Sequence, residues 1–187
     1  MINESMDEEE IEEMYMGRLK FDEEPVSTPK VHLPRLVGFI CGNDFNRKLL
    51  TLLYRRSTTL PPRGQDCDLR DRNNLLVLIQ TVTGQNVGGF VSVTIPSSSV
   101  DYVRDPGAFL FTLTKNQKFC IKKSEADEAI FLSEHYLISF ANDLMISSDL
   151  TEESYCSWPS SYEPAKTVKE RGSLWFVGDN EFLIKDL

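Results

Sequence analysis

The chain has 187 residues, which suits one domain with some additional length, and its 41% hydrophobic and 26% charged residues are typical of a globular protein. Its net charge of −9 is concentrated in residues 1–30, which hold ten acidic and three basic side chains, whereas the remaining 157 residues hold 19 acidic and 17 basic ones. This balance argues against binding to nucleic acid or to an anionic membrane surface, because both ligands require a basic patch.

The first 30 residues are predicted to form a separate acidic segment, helical or disordered. Ile11, Met14, Tyr15, Arg18 and Leu19 have helical spacing behind a Glu-rich first turn. A helix this short is marginal in water, so the segment docks on the body, binds a partner or frays. Residues 25–29, with two prolines, then form a linker.

Residues 31–187 are predicted to form the folded domain. Short helices are expected at 34–42 and from Asp44, whereas the pattern of residues 49–54 fits helix or strand equally. Residues 58–73 are predicted to be a loop. Strands are predicted at 75–82, 87–95, 108–114, 118–122, 129–132, 144–147 and 182–187.

The strand at residues 87–95 shows the clearest alternation. It places Val87, Gly89, Val91, Val93 and Ile95 on one face. The adjacent glycines at 88 and 89 indicate a bulge or the close approach of another backbone. Many short strands separated by turns favour a mainly β fold of the sandwich type.

The cysteines and the hydropathy indicate a cytoplasmic protein. Cys41, Cys67, Cys120 and Cys156 form no CxxC pair, and residues 1–13 lack the apolar core of a signal peptide. No apolar run approaches the ~20 residues that span a bilayer. We expect reduced thiols, with Cys41 and Cys120 packed as small apolar residues.

Two residues are candidates for enzymatic chemistry. His135, close to several serines, could serve a hydrolase, but no Gly-x-Ser-x-Gly elbow accompanies it, so a polar loop or strand-end histidine is the preferred interpretation. Cys67 could serve a thiol-based antioxidant. Its neighbours Asp66 and Asp68 would raise the thiol pKa, which disfavours a reactive thiolate.

Other polar clusters favour structural roles. The spacing of Asp66, Asp68 and Asp71 is similar to that of a calcium-binding loop, but the glycine and the glutamate of an EF-hand are missing. Asp105 and Glu134 lie where turns place carboxylates. The aromatic stretch 155–162 is either an interaction surface or a loop folded over the end of the domain. We predict no catalytic, cofactor-binding or metal-binding residues.

Read in chain order, these patterns resemble the TLDc family. Residues 88–90 are similar to its "F-G-G-Y" segment, and residues 102–113 are similar to its "Y-x-x-D…A-F-L-F-S-L" segment. Residues 52–57 resemble the opening "LLYR-x-S" strand. Residues 140–146 and 182–187 follow in the family's order, although Asn73 and the residue after it stand where the family has Gly-Pro.

The resemblance implies a sandwich of two antiparallel sheets with short peripheral helices. It also implies a role in protection against oxidative stress and an association with the proton-pumping V-ATPase, without an agreed set of catalytic residues. We therefore expect a non-catalytic interaction module with a protein partner. The alternatives are the enzymes that would use His135 or Cys67, and an adaptor that works through the acidic residues 1–30.

Overall fold

The described part of the chain is almost entirely β-structure. The computed structural model describes residues 69–97, 101–157, 160–164, 172 and 176–187. All of them belong to one compact unit, Tyr54–Leu187. The predicted acidic segment, its boundary after residue 30, and the predicted helices before residue 50 lie outside the described residues.

Twelve strands occupy these residues. They are β1 (Leu75–Thr81), β2 (Asn86–Val91), β3 (Tyr102–Val103), β4 (Phe109–Thr112), β5 (Gln117–Ile121), β6 (Ile130–Phe131), β7 (Tyr136–Phe140), β8 (Leu144–Ser147), β9 (Ser154–Cys156), β10 (Tyr162–Pro164), β11 (Glu181–Phe182) and β12 (Ile184–Asp186). A 3-10 helix, Lys123–Glu128, connects β5 to β6.

The strands form two antiparallel sheets of six strands each. The first sheet has the order β10-β5-β4-β2-β1-β12, and the second has the order β11-β9-β8-β7-β6-β3. The hairpins β1–β2 and β4–β5 build the centre of the first sheet, and the consecutive strands β6 to β9 build most of the second. The predicted two-sheet antiparallel sandwich is confirmed.

A single apolar core lies between the sheets. It combines Ile79, Leu110 and Phe119 of the first sheet with Ile138 and Phe140 of the second, all fully buried. Burial of such side chains contributes roughly 1.5–3 kcal/mol each to folding. This shared core fixes which face of each sheet points inward.

The paired glycines of β2 permit this packing. A Cβ on Gly89 would collide with the ring of Phe140 from the opposite sheet, and a Cβ on Gly88 would collide with the carbonyl of Val77 on β1. The predicted close approach is therefore confirmed, with a neighbouring backbone at Gly88 and an aromatic ring at Gly89.

A buried carboxylate ends β2 earlier than predicted. Asp105 accepts hydrogen bonds from the Ser92 amide (2.6 Å), the Ser92 hydroxyl and the Gly107 amide (2.9 Å). The Ser92 amide is thereby taken out of the sheet ladder, so the predicted strand 87–95 stops at Val91. Asp105 acts in a turn, as predicted.

A second buried carboxylate joins the two sheets. Asp143, in the turn between β7 and β8, accepts the amides of Ser160 (2.8 Å), Ser161 (2.9 Å) and Tyr162 (2.6 Å). Tyr162 is fully buried and its hydroxyl donates to the Ala129 carbonyl (2.7 Å). These bonds hold β10, an edge of the first sheet, to the turns of the second.

Three sequence predictions are wrong in this part of the fold. Cys120 is exposed rather than packed, because Phe119 and Ile121 on either side of it point into the core. The predicted aromatic loop at 155–162 begins within β9 and ends at the first residue of β10, so Tyr155 and Tyr162 belong to strands, and Tyr162 lies between the sheets. The predicted strand 182–187 is two short strands that join different sheets on either side of Leu183.

Candidate interaction surface

The outer face of the second sheet carries a continuous row of side chains, most of them large. The strand registers pair one residue from each strand across the whole sheet, and the row is Tyr102, Phe131, Ser139, Met145, Tyr155 and Glu181. The neighbouring row, which includes Ile130, Phe140 and Leu144, points into the core. Because successive residues of a strand face opposite sides, the first row points away from the core.

Aromatic rings occupy both ends of this outer row. Tyr102 is 45% exposed and its ring lies 4.9 Å from that of Phe131, centroid to centroid. Tyr155, near the other end, is 37% exposed. Tyrosines that offer an apolar ring and a polar hydroxyl are enriched at protein interfaces. The row therefore has the chemistry of a contact surface.

A serine in the middle of the row lacks a hydrogen bond. Ser139 is fully buried, and its Oγ has no partner. Gln85 Oε1, in the turn between β1 and β2, is the other such side-chain atom of the described residues. An unsatisfied buried hydroxyl costs free energy, which distinguishes Ser139 from the polar groups between the sheets.

A groove lies beside the β9 end of the row. We call it the β9 groove; its volume is about 600 Å³ and its walls include His135, Tyr136, Glu152, Glu153, Tyr155 and Leu183. The other lining residues are Ser147, Ser148 and Thr151. The end of the β7–β8 hairpin, the loop before β9 and the crossing after β11 together form the groove.

Turn chemistry builds the loop that carries the two glutamates. Asp149 accepts hydrogen bonds from the amide (2.9 Å) and the hydroxyl (2.7 Å) of Thr151, and its own carbonyl accepts the Glu152 amide (2.9 Å). The Ser148 amide donates to the His135 carbonyl (2.9 Å), which ties this loop to the residue before β7. Glu152 and Glu153 are consequently held at the surface, both exposed.

His135, the candidate base of a hydrolase, lines this groove, and its hydrogen bonds to the described residues use backbone atoms of His135. It is exposed, its amide donates to the Ser133 hydroxyl (3.2 Å), and its carbonyl accepts the Ser148 amide. The Ser148 hydroxyl donates to the Glu134 carbonyl (3.0 Å). The described bonds of His135 are backbone bonds, as fits a loop histidine next to a strand.

The other residues weighed from the sequence are not brought together. Cys67, Asp66 and Asp68 lie outside the described residues, and Asp71 is exposed in a turn with a φ of 57°. Asp105 is fully buried in its turn, whereas Glu134 is exposed. Within the described ranges, no group of three His, Cys, Asp or Glu side chains could hold a metal ion.

Burial perturbs two ionisable groups inside the sandwich. Burial raises the pKa of Asp143, and the amides of Tyr162, Ser160 and Ser161 offset part of that rise by hydrogen bonding to the carboxylate. The pKa of Tyr162 is raised strongly by burial and further by the negative charges of Asp105 and Asp143. Both groups are held by this chain's own atoms, so we assign them to the scaffold.

Sequence reasoning missed the outer row and the groove. β7 and β3 were not predicted, so Tyr102 and Ser139 could not be placed on one face. One signal was present, because the sequence Tyr136–Phe140 is a five-residue stretch of mainly aromatic and aliphatic residues.

Comparisons with known proteins add no family assignment: no protein-family model and no curated protein sequence matches the chain significantly. Over the described residues, no helix combines the length and the apolar character needed to cross a membrane.

Proposed function

We propose that this chain is a non-catalytic protein-interaction module of the TLDc type. The observation that supports the proposal is the outer row of the second sheet, with an exposed tyrosine near each end. The motif series at residues 88–90 and 102–113 supports the family, and the two-sheet sandwich is the fold that the resemblance implies. A contact role in oxidative-stress protection follows from the same resemblance.

The partner that the resemblance suggests is the V-ATPase. The experiment is affinity capture from native cytosol by the full chain, followed by mass spectrometry for V-ATPase subunits. We expect enrichment of at least one subunit, loss of that enrichment with the double variant Tyr102→Ala/Tyr155→Ala, and no change with Lys115→Ala. Lys115 is an exposed residue of the β4–β5 turn in the first sheet, so it controls for general surface changes.

The variants must remain folded for this comparison to be meaningful. Tyr102 and Tyr155 are partly solvated, so their removal leaves the core between the sheets intact, and thermal melts should coincide with that of the unmodified chain. If no V-ATPase subunit is enriched by the unmodified chain, the proposed partner is wrong.

The acidic segment supports a second proposal, in which residues 1–30 are the element that binds. The observation behind it is their ten acidic against three basic side chains. Deleting residues 1–30 should then abolish partner capture without changing the thermal melt. Capture that survives the deletion contradicts this second proposal and leaves the outer row as the contact surface.

A further inference from the structure

We propose that the β9 groove is the docking site for a basic segment of a protein partner, anchored by one aromatic or large aliphatic side chain. This inference rests on the proposed interaction function and adds the place and the chemistry of recognition. It is carried by the distribution of exposed apolar side chains and of charge around the groove.

Exposed apolar surface is concentrated at this groove. Of the four large hydrophobic side chains exposed among the described residues, Tyr155 (37%) and Leu183 (41%) line the groove, and Val82 (58%) is bonded through its backbone to Leu183. The Val82 amide donates to the Leu183 carbonyl (3.1 Å), which keeps these two residues together. Tyr102, the fourth, lies at the opposite edge of the second sheet.

Tyr155 and Leu183 give the groove a small apolar anchor site among mainly polar walls. The Tyr155 ring and the Leu183 side chain remain partly solvated, so a partner's aromatic or aliphatic side chain would remove apolar area from water on both sides of the contact. Aromatic residues at the centre of an interface commonly dominate its binding energy. The volume of about 600 Å³ is in the range of clefts that take a small ligand or a few side chains.

The charge of the groove selects the partner's flanking residues. Glu152 and Glu153 line it, and Glu181 is paired with Tyr155 across β9 and β11. Among the described residues that line it, none is a lysine or an arginine. Complementary charge steers association and disfavours partners of the wrong sign, so basic residues should flank the anchor.

The same argument disfavours occupation by the chain's own N-terminal segment. Residues 1–30 carry ten acidic and three basic side chains, which would place like charges beside Glu152 and Glu153. A basic segment of another protein is therefore the occupant to which the charges point.

The test uses the full chain and two synthetic peptides of equal length. Both peptides carry a central Trp-Leu pair; one is flanked by arginines and the other by glutamates. We expect the arginine peptide to bind, the glutamate peptide to bind at least about tenfold more weakly, and the arginine peptide to weaken as salt is added. Equal binding of both peptides, or preference for the glutamate peptide, would overturn the proposal.

Single and double variants test whether the arginine peptide binds in the β9 groove. Tyr155→Ala should weaken the arginine peptide about tenfold, a typical effect for an aromatic anchor. Lys115→Ala, at an exposed position in the β4–β5 turn of the first sheet, should leave binding unchanged. Glu152→Lys/Glu153→Lys should reverse the peptide preference, whereas Glu163→Lys on β10 of the first sheet should not.

These outcomes separate the groove from the proposed function. If a V-ATPase subunit is captured but Glu152→Lys/Glu153→Lys and Tyr155→Ala leave both capture and peptide preference unchanged, the interaction function stands and the groove assignment is wrong. If the peptides show the expected pattern while no subunit is captured, the groove stands and the suggested partner is wrong.

Discussion

The two faces of the second sheet treat polar groups in opposite ways. Where this sheet meets the first, Asp143 of the β7–β8 turn has three amide donors, and the hydroxyl of Tyr162 on β10 has a carbonyl acceptor. On the outer side, the Ser139 hydroxyl has no partner and Tyr102 and Tyr155 remain partly in water. The carboxylate and phenol between the sheets are thus satisfied within the chain, whereas the two exposed tyrosines of the outer row keep capacity for contacts with another molecule.

The largest expected effect on stability comes from a comparison that removes one aromatic ring from each face. Phe140→Ala should lower the free energy of unfolding by about 3–5 kcal/mol, because Phe140 is fully buried against Gly89 and the Tyr162 ring. Tyr155→Ala should change it by no more than about 0.5 kcal/mol. Urea denaturation measures both, and equal losses would show that the two faces do not differ.

Replacing the interior carboxylate of Asp143 is expected to have the next largest effect on stability. Asp143→Asn replaces one carboxylate oxygen by an NH2 group, so at least one of the three backbone amides loses its acceptor. We expect the free energy of unfolding to fall by about 1–3 kcal/mol. Chemical denaturation at neutral pH measures this loss. An unchanged midpoint would mean that the lost bond contributes nothing measurable to stability.

The raised pKa of Asp143 determines how the stability of the fold changes with pH. Because burial raises the pKa of Asp143, the folded state keeps a proton that the unfolded state begins to release near pH 3.8. The stability of the unmodified chain relative to Asp143→Asn should therefore fall as pH rises from 3.8 through the raised pKa. A relative stability that rises over this interval would contradict the assigned shift.

Substitution of Tyr162 tests how the buried interior affects stability at alkaline pH. Tyr162→Phe removes the bond to the Ala129 carbonyl and should cost about 1 kcal/mol at neutral pH. The buried phenol stays protonated above pH 10.0, where an unfolded tyrosine ionises, so the unmodified chain should lose stability as pH rises above that value. The phenylalanine variant should lose less, as measured by thermal melts in alkaline buffers.

The smallest expected effect has the opposite sign. Ser139→Ala removes a buried hydroxyl that has no partner, so it should stabilise the fold by up to about 1 kcal/mol. The matched control is Ser154→Ala, because the Ser154 hydroxyl accepts the buried Ser147 amide (3.1 Å) and its removal should destabilise the fold. Equal changes at the two serines would mean that Ser139 is satisfied after all.

The centre of the first sheet was predictable from local pattern. β1 and β2 are rich in apolar and β-branched residues and are separated by a turn at Gly84, and β4 and β5 show the same signals. The early end of β2 was not predictable, because its cause is a hydrogen bond from Ser92 to Asp105, thirteen residues away. β3, β6 and β11 have two residues each, too few to show a period.

The groove was beyond sequence reasoning for a related reason. Its walls come from the residue before β7, the loop before β9 and Leu183, which are distant in the chain and meet only through sheet pairing. Sequence analysis singled out His135 for its reactivity and Tyr155 as part of an aromatic loop, but it could not show that both line one groove.

The crossing at Leu183 has a consequence for solubility. On one side of it, β11 pairs with β9 at the edge of the second sheet; on the other, β12 pairs with Gln80 and Thr81 at the end of β1 in the first. β1 is an uncharged run of seven residues, LLVLIQT, without proline, which is the composition of segments that stack into amyloid when their edge is open. Residues 181–186 thus pair with both sheets, and their detachment would free backbone groups at the end of β1 and along β9 for pairing with another chain.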